Sequence, residues 1–344
     1  MKAVVFHEHG GLENLKYEDV PTPEPQEGEV LIDVKACGVN HVDKWIRLDG
    51  KKKLPMPHIT GTEVAGEVAV VGSGVRGIGV GQCVAVSHWW TCGSCEWCLK
   101  GEESLCVSGK IVGMEVQGGF AEYMVAPATH VLPLPEGVCF TDAAAVLVST
   151  VTAWHMMVAR AGIKAGEDVL VLGADGGVGS SAIQIAKLHG ARVIATTHGT
   201  ENARRAREMG VDYVVDIEQA DFLDEALKFT SGRGVDLVVE HVGAATWEKS
   251  VSSMARNGRL VVCGDTTGRQ VTDDIHVLFR KQLSLIGSMG GTRRDIMDVL
   301  RLVQHGKIRP VIYKTYPLDK VPEAERIIEA RQHFGKMIIV QDQR

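Results

Sequence analysis

The chain has 344 residues, 45% apolar and 23% charged, with 39 glycines and a formal net charge of −6 when histidine is neutral. That length suits about two domains, and the composition is that of an ordinary globular protein. The mildly acidic balance argues against nucleic acid or an anionic membrane as the main partner.

The opening Met1-Lys2-Ala3-Val4-Val5-Phe6-His7-Glu8 meets an acid before a signal-peptide core forms. No apolar run approaches the roughly 18 residues of a membrane span. Four of the eight cysteines crowd between Cys92 and Cys106, while Cys37, Cys83, Cys139 and Cys263 are scattered. This is not the framework of a small secreted domain, and a reducing, cytoplasmic setting is expected.

The first ~120 residues read as short strands and turns. Residues 29–36 alternate polar and apolar, as a half-buried strand does. Pro21-Thr22-Pro23-Glu24-Pro25 is an extended connector, and the Val-rich, Gly-bounded stretch 64–71 is a further strand. The texture changes near Thr141. Strands at 168–173, 192–197, 213–215, 235–240, 259–263 and 283–287 alternate with amphipathic helices, among them 201–209. Such alternation implies a doubly wound parallel sheet. The tail after Gly290 adds two helical stretches and the strand 336–340.

After the strand 168–173 comes Gly173-Ala174-Asp175-Gly176-Gly177-Val178-Gly179. Against G-x-G-x-x-G, the key places hold Ala174, Gly176 and Gly179. Small residues let the backbone approach a pyrophosphate, and the following helix offers free N–H groups and its positive dipole end. A lone glycine turn is only a turn; this one joins a buried strand to an amphipathic helix bearing Val178, Ala182, Ile185 and Ala186, the context of a dinucleotide site. The next strand ends Thr196-Thr197-His198, with no acid for the ribose hydroxyls. Arg204, Arg205 and Arg207 follow on a helix whose alternative reading is a solvated charged face. The missing acid favours NADP(H) over NAD(H).

Cys92, Cys95, Cys98 and Cys106 give C-x2-C-x2-C-x7-C. Four thiolates so spaced can close a tetrahedron around one zinc and leave no position for substrate, so a structural zinc is expected, the alternative being disulfides or idle thiols.

With these features on hand, the chain resembles the medium-chain dehydrogenase/reductase superfamily of zinc alcohol dehydrogenases and quinone reductases over essentially its whole length. Gly61-Thr62-Glu63-Val64-Ala65-Gly66 is similar to the family's G-H-E-x-x-G. Residues 92–106 match its zinc lobe, and Gly176 to Gly179 with Ala182 and Gln184 match its cofactor helix. The resemblance implies a mostly-β GroES-like catalytic domain at 1–150 and 288–344, a Rossmann domain at 151–287, and substrate in the cleft between them. Thr152, Gly173, Thr197, Arg204, Val242, Gly243, Gly264 and Gly287 complete the expected cofactor set. A homo-oligomer, a dimer or a dimer of dimers, is expected through the edge strand at Leu283-Ser284-Leu285-Ile286.

The departures from the family shape the expected chemistry. Its catalytic zinc is held by a Cys, the His of G-H-E and a later Cys or Asp. Here Asn40 of Asn40-His41-Val42-Asp43 stands at the first place, Thr62 at the second and Val148 on or near the third. Cys37 falls three residues too early. Only Glu63 remains, so an active-site zinc is not expected. Without a metal to lower its pKa an alcohol is hard to oxidise, whereas an enone or quinone accepts hydride if donors stabilise the developing charge on oxygen. Asn40, His41 and Thr62 are the candidate donors, with Asp43 and Glu63 as a supporting polar network. The competing readings of these residues are a turn, a surface contact and a strand position. His88-Trp89-Trp90 either lines the cleft or packs around the zinc lobe. Two alternatives stay open: an alcohol dehydrogenase with unusual zinc ligands such as Glu63 and His41, and a cofactor-binding protein without catalysis.

Overall fold

A computed structural model of the chain describes residues 1–50, 54–331 and 333–341. They form two compact units, Met1–Val148 with Thr292–Arg344, and Ser149–Gly291. Among the described residues no helix is long and apolar enough to cross a membrane.

The first unit is built on a seven-stranded sheet. Its order runs Ile312–Pro317, Lys336–Val340, Glu29–Gly38, Glu63–Val71, Cys83–Val86 and Val131–Pro133, and Tyr123–Pro127 also pairs with Glu29–Gly38. All pairs are antiparallel except Ile312–Pro317 with Lys336–Val340. The alternation seen in the sequence has a cause: Val30, Ile32 and Val34 turn inward onto Val64, Val68, Val84, Phe120 and Ile339. Each such fully buried side chain stabilises the unit by roughly 1.5–3 kcal/mol. This is the expected GroES-like, mostly-β domain. The strand Ile312–Pro317 escaped the sequence reading because it is an edge, mostly exposed and without an alternating apolar face.

The second unit is a six-stranded, wholly parallel sheet. Its order is Tyr213–Asp216, Arg192–Thr197, Asp168–Val171, Val235–Glu240, Met254–Val262 and Ser284–Gly287. The central strand Asp168–Val171 is buried throughout, as strands covered on both faces are. The chain leaves it in one direction for Arg192–Thr197 and returns on its other side as Val235–Glu240. That reversal is the switch point at which doubly wound sheets bind ligands. The strand expected from Arg259 begins earlier, at Met254, with a shift of register near its start. Ser284–Gly287 is the sheet's last strand, and Leu285 on it is exposed.

Candidate active site

In the first unit a polar cluster forms where two sheet strands and a helix meet. Glu63 opens its strand and is fully buried. Room for its carboxylate comes from Gly38 on the neighbouring strand, where a Cβ would stand 2.2 Å from Glu63 Oε2. Asn40 caps the helix His41–Leu48. Its amide Nδ2 donates to Glu63 Oε2 at 3.0 Å, and its Oδ1 accepts from Lys336 Nζ at 2.6 Å. A carboxylate can only accept and an ammonium can only donate, so the amide's orientation is fixed by chemistry. Lys336 spends its three donors inside the protein, on Asn40, on the Val39 carbonyl at 2.9 Å and on Glu63 Oε2 at 2.6 Å. The Val148 amide donates to Glu63 Oε1 at 2.6 Å.

Asp43 supports the cluster from the helix. It accepts from the backbone N–H groups of Asn40 at 2.8 Å and Gly61 at 3.0 Å, and from the Thr62 hydroxyl at 3.4 Å. Burial pushes its carboxyl up to about 6, against the pull of those donors and of Lys336. His88 is buried, its Nδ1 has no partner among the described residues, and burial lowers it to about 4, so it is neutral at physiological pH. The Glu63 carboxylate lies within its electrostatic reach.

Four of the five expected residues therefore converge: Asn40, Asp43, Thr62 and Glu63. Thr62 turns its hydroxyl to Asp43. His41 is the first residue of its helix, and its ring is tilted against Trp45 with centroids 6.2 Å apart. Lys336 was missed. The signal for it was a lysine opening the apolar run Met337-Ile338-Ile339-Val340, because a lysine is seldom buried unless paired.

The cluster does not fit a catalytic zinc. Asn40 and Thr62 are poor zinc donors, Val148 offers only its backbone, and Glu63 already carries the Lys336 cation. Among the described residues, Cys92, Cys95, Cys98 and Cys106 are the one group of three or more candidate ligands close enough to share an ion. They do fit. Their sulfurs lie within 4.8 Å of one another, with Cys95–Cys98 at 3.5 Å, Cys92–Cys106 at 3.6 Å and Cys92–Cys98 at 4.0 Å. A tetrahedron of sulfurs ~2.3 Å from zinc has edges of about 3.8 Å. Trp89–Trp90 paired with Lys110–Ile111 frames this lobe.

In the second unit, the glycine turn also fits its expected ligand. The helix Gly177–Leu188 starts at Gly176, and the first N–H groups of a helix lack partners within it. At Gly179 a Cβ would stand 1.9 Å from the Gly173 carbonyl, so only glycine lets helix and strand pack this closely. Glu240, fully buried, holds the next loop by accepting from Val242 N, Gly243 N, Thr246 Oγ1 and Ser250 Oγ. Gly264 lies close against His241, and Gly287 ends the edge strand. Thr152 is buried in the helix Ser149–Trp154, and the buried Thr197 hydroxyl has no partner among the described residues. Arg204 is engaged by Glu201 at 2.8 Å and by Glu208, both on its own helix.

A GroES-like sheet, a four-cysteine lobe and a Rossmann unit together define a nicotinamide-dependent oxidoreductase with a structural zinc site. Comparison with known proteins agrees. Residues 26–136 match the alcohol dehydrogenase GroES-like domain, and residues 177–305 match the zinc-binding dehydrogenase domain. An alcohol dehydrogenase of Schizosaccharomyces pombe is 33% identical across 98% of this chain and 97% of its own length. An acryloyl-coenzyme A reductase of Sulfurisphaera tokodaii is 36% identical across 98% and 99%. The crystal structure of an NAD-dependent alcohol dehydrogenase superposes with a TM-score of 0.94 at 39% identity, covering 99% of each chain. The chain belongs to the medium-chain dehydrogenase/reductase superfamily.

Proposed function

We propose that this enzyme reduces activated, conjugated double bonds, such as those of enones, quinones or enoyl thioesters, without a catalytic metal. The observation that carries the reading is the Lys336 ammonium. It sits 2.6 Å from Glu63 and 2.6 Å from the Asn40 amide, where the family's alcohol dehydrogenases are expected to gather metal ligands. Bound nicotinamide supplies the hydride. The residues of the first unit meet the charge that then develops on the substrate oxygen, and a proton from solvent completes the reduced product. The Asn40 amide nitrogen has two N–H bonds; one is committed to Glu63, and the second is the donor for that oxygen. Lys336 does not touch the substrate. It fixes the amide's orientation and keeps a positive charge beside it, and in a dry site such preorganised charge is effective. Likeness to an acryloyl-coenzyme A reductase supports the substrate class.

The test is oxidation of NADH and NADPH with a panel of enones, quinones, enoyl thioesters and aldehydes. Turnover of the conjugated substrates, with little aldehyde reduction, is expected. Aldehyde reduction as the dominant activity would contradict the proposal. An inert cofactor-binding protein would oxidise neither dinucleotide with any member of the panel.

We also infer that the protein is a dimer. Among the described residues the parallel sheet ends in Ser284–Gly287, which has no strand on its outer side and carries the exposed Leu285. An unpaired, apolar strand edge invites a symmetric partner.

A further inference from the structure

In a dinucleotide fold, an acid near the tip of the second strand binds the hydroxyls of the adenosine ribose. Here that tip is Thr196-Thr197-His198 and carries none. The structure brings a carboxylate to the same end from another element. Asp175 lies half-buried in the glycine turn, just ahead of the helix Gly177–Leu188. Asn202, in the first turn of the helix Thr200–Glu208, donates from Nδ2 to Asp175 Oδ2 at 3.3 Å. The turn is itself tied to the strand tip. Gly173 N donates to Thr196 Oγ1 at 2.9 Å, and Ala174 N donates to the Thr196 carbonyl at 2.8 Å. Asp175 thus spans from the pyrophosphate turn to the helix that leaves the second strand, the ground the ribose covers in such folds.

Asp216, Glu201, Arg204 and Arg205 are engaged by other groups. Asp216, opposite Thr197 in the sheet, accepts from Gly199 N, Glu218 N and Gln219 Nε2. Glu201 is held by Arg204 and Arg205, and Arg204 also by Glu208. An arginine so engaged is a poor receptor for a 2′-phosphate, since its fork is already filled by carboxylates.

We propose that Asp175, oriented by Asn202, binds the ribose diol and excludes a 2′-phosphate, so that the second unit selects NAD(H) over NADP(H). The acid missing from the strand tip is supplied by the turn. A carboxylate accepts from two hydroxyls but faces a phosphate as a like charge. The inference rests on the reading of this unit as a nicotinamide-dinucleotide domain and is independent of the substrate proposed above.

Binding tests it without turnover. Titrate the purified zinc-loaded protein with NADH and NADPH, following nucleotide fluorescence. The wild type is expected to bind NADH at least tenfold more tightly. Asp175→Ser is expected to narrow that ratio about tenfold, through weaker NADH and stronger NADPH binding. Asn202→Ala keeps the carboxylate but frees it, and is expected to weaken NADH several-fold. Equal or tighter NADPH binding by the wild type would overturn the proposal, even if the variants fail to fold. So would an unchanged ratio in a folded Asp175→Ser. Binding of neither dinucleotide would overturn the nicotinamide reading and this inference with it, whereas NADH binding without turnover of any conjugated substrate would overturn only the proposed activity.

Discussion

Lys336 Nζ lies 2.6 Å from Glu63 Oε2, and both side chains are withdrawn from solvent, at 6% and 0% exposure. A buried pair of this kind is costly to break because the surviving partner is left as an uncompensated charge. Lys336→Met is therefore expected to lower unfolding free energy by about 3–5 kcal/mol. Adding Glu63→Gln removes the stranded charge and is expected to restore much of that loss. Urea unfolding of the wild type, both single variants and the double variant measures the coupling, and strictly additive effects would refute a direct pair.

Asn40 has a different role, since it is the group assigned to the substrate. Asn40→Ala is expected to reduce kcat about 10²-fold with an enone, the cost of removing one preorganised donor. KM should move much less. A kcat within a factor of a few of wild type would exclude Asn40 as the donor.

Acidity bears on stability through the helix that carries Asp43. Arg47, on that helix, is fully buried and meets Glu325 at 3.0 Å and Glu329 at 2.8 Å. Burial pushes the Glu325 carboxyl from 4.5 up to about 7 despite Arg47, and its Oε1 has no partner among the described residues. A raised carboxyl stabilises the fold fully below its unfolded value and loses that contribution as pH rises through its folded value. His88 and His130, lowered to about 4 by burial, act in the opposite sense: their contribution is present above the unfolded histidine value and is lost on acidification. Glu325→Gln isolates the first effect. Wild-type stability relative to this variant is expected to fall by up to about 3 kcal/mol between pH 4.5 and 8. A constant difference across that range would refute the shift.

The proposed dimer is tested at the sheet edge. Light scattering at micromolar concentration is expected to give twice the chain mass. Leu285→Lys, which places a charge on the exposed edge strand, is expected to give monomer. A monomeric wild type would overturn the dimer.

The sequence made the architecture legible because both patterns are local. Alternating apolar residues on Glu29–Gly38 and the continuous apolar strands around the glycine turn each reflect a burial that the structure shows. The cysteine lobe was legible for the same reason, its ligands lying within fifteen residues. Asn40 and Glu63 could be placed by motif. Their partner Lys336 could not, because it stands 296 residues beyond Asn40 and reaches it only through sheet pairing. The carboxylate proposed for the ribose is likewise inconspicuous in the sequence, since Asp175 stands among glycines and its contact with Asn202 spans 27 residues. The edge strand Ile312–Pro317 left little trace, since only an inward face imposes an apolar pattern.

Zinc content of the purified protein tests most directly whether the zinc site is structural and the catalytic cluster works without a metal. One zinc per chain is expected, lost together with a fall in melting temperature in Cys95→Ser, because that substitution removes one of four thiolates. Two zincs per chain in the wild type, or a zinc content unchanged in Cys95→Ser, would contradict the account.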